Sequence, residues 1–149
     1  SRSFICPLDA FPFASTGNNG IHFAFLTDFG KHLDLNSAPI ICIAPSYDPP
    51  VNLVADNIID FMSIVTTIEN ATLLADQYID EAHFKQMQKE WFDGYRSKSN
   101  VSESRKKQAL KLRQLFDLKR ISDVVGYTHR IRKERERPRR YSKWLHKKT

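Results

Sequence analysis

At 149 residues, 41% hydrophobic and 11% aromatic, the chain is about one domain's worth and carries enough apolar surface to bury a core. With 27% charged residues and a mean hydropathy of -0.47, it has no apolar run of the roughly 18 residues a membrane-spanning helix needs. The net charge of +6 conceals a division: residues 1–100 hold 6 Lys/Arg against 12 Asp/Glu and residues 101–149 hold 17 against 5, which points to two functional zones or one domain with a basic extension.

The opening SRSFICPLDAFPFAST is apolar and broken by Pro7 and Pro12, which suits extended chain or short edge strands. Gly17-Asn18-Asn19-Gly20 then predicts a hairpin turn, its glycines supplying positive φ. Residues 21–28 alternate, with Ile21, Phe23, Phe25 and Thr27 on one side and His22, Ala24, Leu26 and Asp28 on the other. Both sides are fairly apolar, so a central strand is expected. Phe29-Gly30 ends it, KHLDLNSA forms a polar connection, and PIICIAP, residues 39–45, makes a second strand stopped by Pro45. The two strands predict an antiparallel pair.

SYDPPVNLVADNIIDFMSIVTT predicts one amphipathic helix. Asp48 serves as its N-cap, proline occupies its first turn, and Val51, Val54, Ala55, Ile58, Phe61, Met62 and Val65 form its apolar face. A second helix is expected over 69–78, and a third from about Asp80, with Phe84, Met87, Gln88 and Trp91 on one stripe and Gly94 at its end. RSKSNVS reads as a polar linker. In ESRKKQALKLRQLFDLKR helix formers dominate, with Ala109, Leu112, Leu115 and Phe116 available for packing. The end, RIRKERERPRRYSKWLHKKT, is highly charged; Pro138 should stop any helix, and about ten last residues are expected to be loosely ordered.

Catalytic constellations do not emerge. There is no G-x-S-x-G elbow, phosphate loop, H-E-x-x-H or dinucleotide fingerprint. The five histidines are scattered without ligand spacing, and the two cysteines, Cys6 and Cys42, belong to no C-x-x-C pair, so they are expected as reduced thiols packed like small hydrophobes. No enzyme activity, metal or cofactor is implied. Gly17-Asn18-Asn19-Gly20 matches the bare pattern of the KH-domain loop, but it leads into a strand and bears no basic residue. The aromatic run HFAFL does not fit an RNA-stacking strand either: the positions that should be basic, glycine and aromatic hold Ile21, His22 and Asp28. Phe23 and Phe25 are therefore expected in the core. The basic segment is different. Its cations, with Tyr141 and Trp144 interleaved, could hold phosphates and stack bases, or form a solvated tail, or fold back on the acidic front half.

The order of signals in residues 11–65, carried by FPFASTGNNGIHFAFLTDFG, APIICIAPSYDPP and VNLVADNIIDFM, resembles the SUKH superfamily of immunity-protein and cell-wall-regulator domains. The resemblance implies an α+β domain with a bent antiparallel sheet backed by helices, here lacking the helix that family members carry ahead of the sheet, in keeping with a chain that begins at Ser1 rather than Met. It also implies a non-catalytic role: neutralising a partner protein, typically a polymorphic toxin such as a nuclease, inside the producing bacterium.

The expectation is thus a cytoplasmic α+β domain over residues 1–95 and a basic, largely helical extension over 96–149 with a flexible tail. It binds a protein partner, needs no cofactor and has no membrane segment. Exposed loop residues Asp28, Asp34, Tyr47 and Asp48 are the candidate partner contacts, since loop carboxylates and tyrosine anchors commonly carry interfaces. The alternative function is association with nucleic acid through residues 101–149, with Arg132, Arg135, Arg139, Arg140 and Trp144 as the candidate contacts.

Overall fold

The computed structural model describes residues 9–27, 29–30, 34–76, 80–94 and 100–135, with side chains from 103 onward in the last stretch. The fold is α+β. Strands β1 (Ala10–Ser15), β2 (His22–Leu26), β3 (Ile40–Ile43) and β4 (Val51–Ala55) form an antiparallel sheet in the order β1-β2-β3-β4. Helices α1 (Ile58–Ile68), α2 (Glu81–Gly94), α3 (Asn100–Phe116) and α4 (Val124–Glu134) follow, with a short 3-10 helix at Ala71–Ala75.

The β1–β2 turn is closed by Thr16 N–H donating to the Ile21 carbonyl at 3.1 Å, with Gly17 and Gly20 at φ of +73° and +72°. An L residue is strained there, which is why the turn is glycine-rich. As the alternation predicts, β2 lies between two neighbours and its phenylalanines pack inward. The Phe23 and Phe61 ring centroids are 4.9 Å apart and those of Phe13 and Phe25 4.5 Å. The aromatic run is core rather than a base-stacking platform.

The segment expected to be one helix from Asp48 is instead a strand and then a helix. All five residues of β4 are buried, and Ile41, Cys42 and Ile43 pair with Leu53, Asn52 and Val51. A helix would turn Asn52 to solvent; in the strand it is buried, and its Nδ2 donates to the Ala75 carbonyl at 2.7 Å. The true N-cap is Asn57, whose Oδ1 accepts from Asp60 N–H at 2.9 Å, satisfying an otherwise orphaned donor of the first turn. Glu69, at φ of +59°, ends α1 and donates its N–H to the Val65 carbonyl. The helix expected over 69–78 is the 3-10 helix alone among its described residues.

Each face of the sheet has its own cover. Ile21, Phe23, Ile40, Cys42 and Val54 pack with Phe61, Ile64 and Ile68 of α1, while Ala24, Ile41, Ile43 and Leu53 on the opposite face pack with Ile131 of α4. Helix α4 reaches both clusters, since Val124 and Val125 join the first and Tyr127 touches each. The segment beyond residue 96 therefore supplies part of the core, at about 1.5–3 kcal/mol for each large apolar side chain fully buried.

Candidate interaction surfaces

The two edges of the sheet are finished differently. At the β4 edge, α4 supplies side chains to backbone groups that a further strand would otherwise use. Arg132 Nε donates to the Leu53 carbonyl at 2.9 Å, and the Tyr127 hydroxyl accepts from Asp56 N–H at 2.9 Å while donating to Asp60 Oδ2 at 2.7 Å. Arg135 Nε adds a 2.9 Å ion pair with Asp56 Oδ1, and the Arg130 guanidinium lies 5.3 Å from the centre of the Tyr127 ring. The burial of Tyr127 raises its pKa above the ordinary 10.0, the Asp56 N–H pulls the other way, and the Asp60 carboxylate raises it further. Two of the candidate nucleic-acid contacts, Arg132 and Arg135, are thus engaged with the chain's own acidic front half. This is the fold-back arrangement among the sequence expectations. Arg139, Arg140 and Trp144 lie outside the described residues.

The β1 edge has no strand beside it among the described residues, and it is blunted in another way. Pro12 has no N–H to donate, and the register shifts between Pro12 and Ala14, which bulges the chain at Phe13. Strand addition is disfavoured there, and the described candidate loop residues lie at the sheet ends.

Those ends hold the candidate loop residues in two separate groups. Tyr47 and Asp48 lie in the β3–β4 connection, whose Pro45 Cγ would stand 3.7 Å from a Cβ at Gly20, so this loop sits against the β1–β2 turn. Asp34 lies in the β2–β3 connection, at the other end of β3. Its Oδ1 accepts from Asn36 N–H at 3.0 Å, and Ser37 Oγ donates to its carbonyl at 3.0 Å, so it organises its own turn while remaining exposed. Asp28 is outside the described residues. Among the described candidates, Tyr47 and Asp48 are therefore separated from Asp34 by the length of β3.

Sequence reasoning passed over the residue that stands out at the Asp34 end. Phe29 is 62% exposed at a φ of +56°, next to Gly30 at +81°. A bulky side chain in the left-handed region is uncommon and costs about 1–2 kcal/mol. Leu35, in the same connection, and Phe11, whose strand partner is Phe25, are also exposed. The available signal was an aromatic residue immediately before a strand-ending glycine, in a connection otherwise polar.

Elsewhere, Cys42 is a buried free thiol that burial pushes up to about 12, against a weaker downward pull from Arg132. It is chemically quiet, as a thiol packed like a small hydrophobe should be. Cys6 lies outside the described residues. Among the described residues no group of His, Cys, Asp or Glu could hold a metal ion, and no helix is long and apolar enough to cross a membrane. No family model, curated protein or solved structure matches the chain.

Proposed function

We propose that this chain is a non-catalytic protein-binding domain of SUKH-like type, with an immunity-like role in which it neutralises a partner toxin without any cofactor. The observation that carries the reading is Phe29. Its strained backbone and exposed ring add nothing to the chain's own core, whereas an anchor entering a partner's pocket would recover both costs on binding. Asp34 and Leu35 follow it in the same connection, and the acidic balance of residues 1–100 would steer the domain onto a basic partner cleft.

The test is a Phe29→Gly variant beside wild type, each tagged and recovered from the native host after nuclease digestion. Gly30 shows that this turn accommodates glycine at positive φ, so the variant should be at least as stable as wild type by thermal melting. Wild type is expected to retain a stoichiometric protein whose toxicity it suppresses on co-expression, and the variant to lose both. Retention by Phe29→Gly and Asp34→Lys alike would remove this end of the sheet from the reading and leave Tyr47 and Asp48 as the contacts.

A second reading, nucleic-acid association through residues 101–149, is supported by the exposed Lys107 and Lys111 of α3 and by Lys119 just after it. Its signature is an affinity that falls steeply with salt and weakens with Lys107→Glu and Lys111→Glu.

A further inference from the structure

A cleft of 420 Å³ lies away from both sheet ends, walled by the last turn of α1, one face of α2 and the connection from α3 to α4. Its size falls within the range of about 300–1,000 Å³ that small-molecule sites occupy. The α2 wall follows from helical spacing: Phe84, Gln88 and Phe92 stand four residues apart, as do Lys85 and Lys89, so an apolar row and a cationic row run side by side. Ile68 and Val124 extend the apolar floor, while Arg120 and Ser122 face it from the connection.

The charges on this cleft are of one sign. Lys85, Lys89 and Arg120 line it and no carboxylate does. Lys85 is already paired with Glu81 and feels Asp123 nearby, and its pKa is raised chiefly by the hydrogen bond to Glu81. Among the described residues Lys89 and Arg120 have no acidic partner, and both are exposed. The Thr67 hydroxyl is engaged, donating to the Ser63 carbonyl at 2.7 Å and accepting from Arg113 Nη2 at 2.6 Å. Ser122 and Gln88 remain as the neutral polar groups of the lining.

An apolar, aromatic floor with cations on two different walls suits a ligand that is flat at one end and anionic at the other. We propose that the cleft binds a free nucleoside phosphate, its phosphate held between Lys89 and Arg120 and its base laid against the half-buried Phe92, with the buried Phe84 beneath. Cations on separate walls favour an anion compact enough to meet both, and aromatic faces accept any base with little sequence preference.

The experiment is a calorimetric titration of the full chain with adenosine and guanosine monophosphates, with inorganic phosphate and with adenosine. Both nucleotides should saturate the protein, and phosphate alone and adenosine alone should each bind at least about tenfold more weakly. Lys89→Glu combined with Arg120→Glu should lower nucleotide affinity at least about tenfold, Phe92→Ala about fivefold or more, and Lys133→Glu on α4 not at all. Amide shift mapping on wild type provides a readout independent of any variant, with changes expected at Thr67, Phe84, Phe92 and Ser122. The proposal is overturned by the absence of saturation at millimolar nucleotide, by equal affinity for phosphate alone, or by an unaffected Lys89/Arg120 variant. A single-stranded oligonucleotide that binds more tightly, and responds to Lys107 and Lys111 instead, would also overturn it in favour of a nucleic-acid surface on α3. Binding of a protein partner at the Phe29 end is separate from each of these outcomes.

Discussion

Helices α3 and α4 come from the same basic half of the chain, yet one lies on the protein and the other belongs to it. In α4, Val124, Val125, Thr128 and Ile131 are buried at helical spacing, and Arg132, the C-cap Arg135 and Arg130 reach the Leu53 carbonyl, Asp56 and the Tyr127 ring. In α3, Ala109 and Arg113 are the partly buried positions from residue 103 onward, while Leu115 is 69% exposed and Leu110, Leu112 and Phe116 are exposed with it. Leu112, Leu115 and Phe116 stand at i, i+3 and i+4 and so share one face of α3, with Leu110 apart from it, and that face is left exposed. Both helices are net basic and both carry an apolar face in helical phase; what distinguishes them is that the face of α4 is covered by the sheet and α1 cluster whereas that of α3 is exposed.

This difference is tested most severely at Ile131, which is 0% exposed between α4 and the sheet. Ile131→Ala should cost about 2–5 kcal/mol in a urea melt, against a change within about 0.5 kcal/mol for Leu115→Ala on α3. Next comes Tyr127→Phe. It leaves the Asp56 N–H and the Asp60 carboxylate without their shared hydroxyl and should cost about 1–3 kcal/mol.

The same hydroxyl and the Cys42 thiol sharpen the contrast at alkaline pH. Burial raises both pKa values, Cys42 from 9.0 to about 12, so the folded chain keeps protons that the unfolded chain releases. Their contribution to stability is fully present below about pH 9 and is lost as pH rises toward 12. A Cys42→Ala, Tyr127→Phe double variant should show a flatter decline in denaturant midpoint over that window. The smallest effect is expected at the rim of α4: Arg135→Gln breaks a partly exposed ion pair and should cost no more than about 1 kcal/mol, less in high salt.

The sheet's first three strands were legible because their signals were local: a glycine-rich turn, an alternating aromatic run and a β-branched run stopped by proline. The β4–α1 boundary was obscured because Val51, Val54, Ala55 and Ile58 satisfy a helical period as well as a buried strand does. Leu53 and Asn52, both buried, were the residues that broke the helical pattern, and Asn57 with Asp60 three residues later marked the true cap. Helix α4 escaped notice because charged residues crowd its short apolar stripe. The roles of Arg132 and Arg135 could not be read locally at all, since each meets a partner 79 positions away. Of the candidate contacts, Asp34, Tyr47 and Asp48 are exposed as expected, but strand register alone decides which of them share an end of the sheet. The left-handed backbone of Phe29 has no composition signature beyond the glycine that follows it.

The long reach of α4 bears on how the chain is made. On a ribosome the sheet hairpins emerge first, and Asp56 precedes its Arg135 partner by 79 residues. At about 5–20 residues per second that separation is roughly 4–16 s of translation. Through that interval the Leu53 carbonyl and Asp56 N–H have no side chain from α4, and the sheet face that Ile131 later covers is open to water. A chain stalled before residue 124 would present an unfinished edge to other nascent copies, and an α4 donated by a neighbouring molecule would complete it equally well.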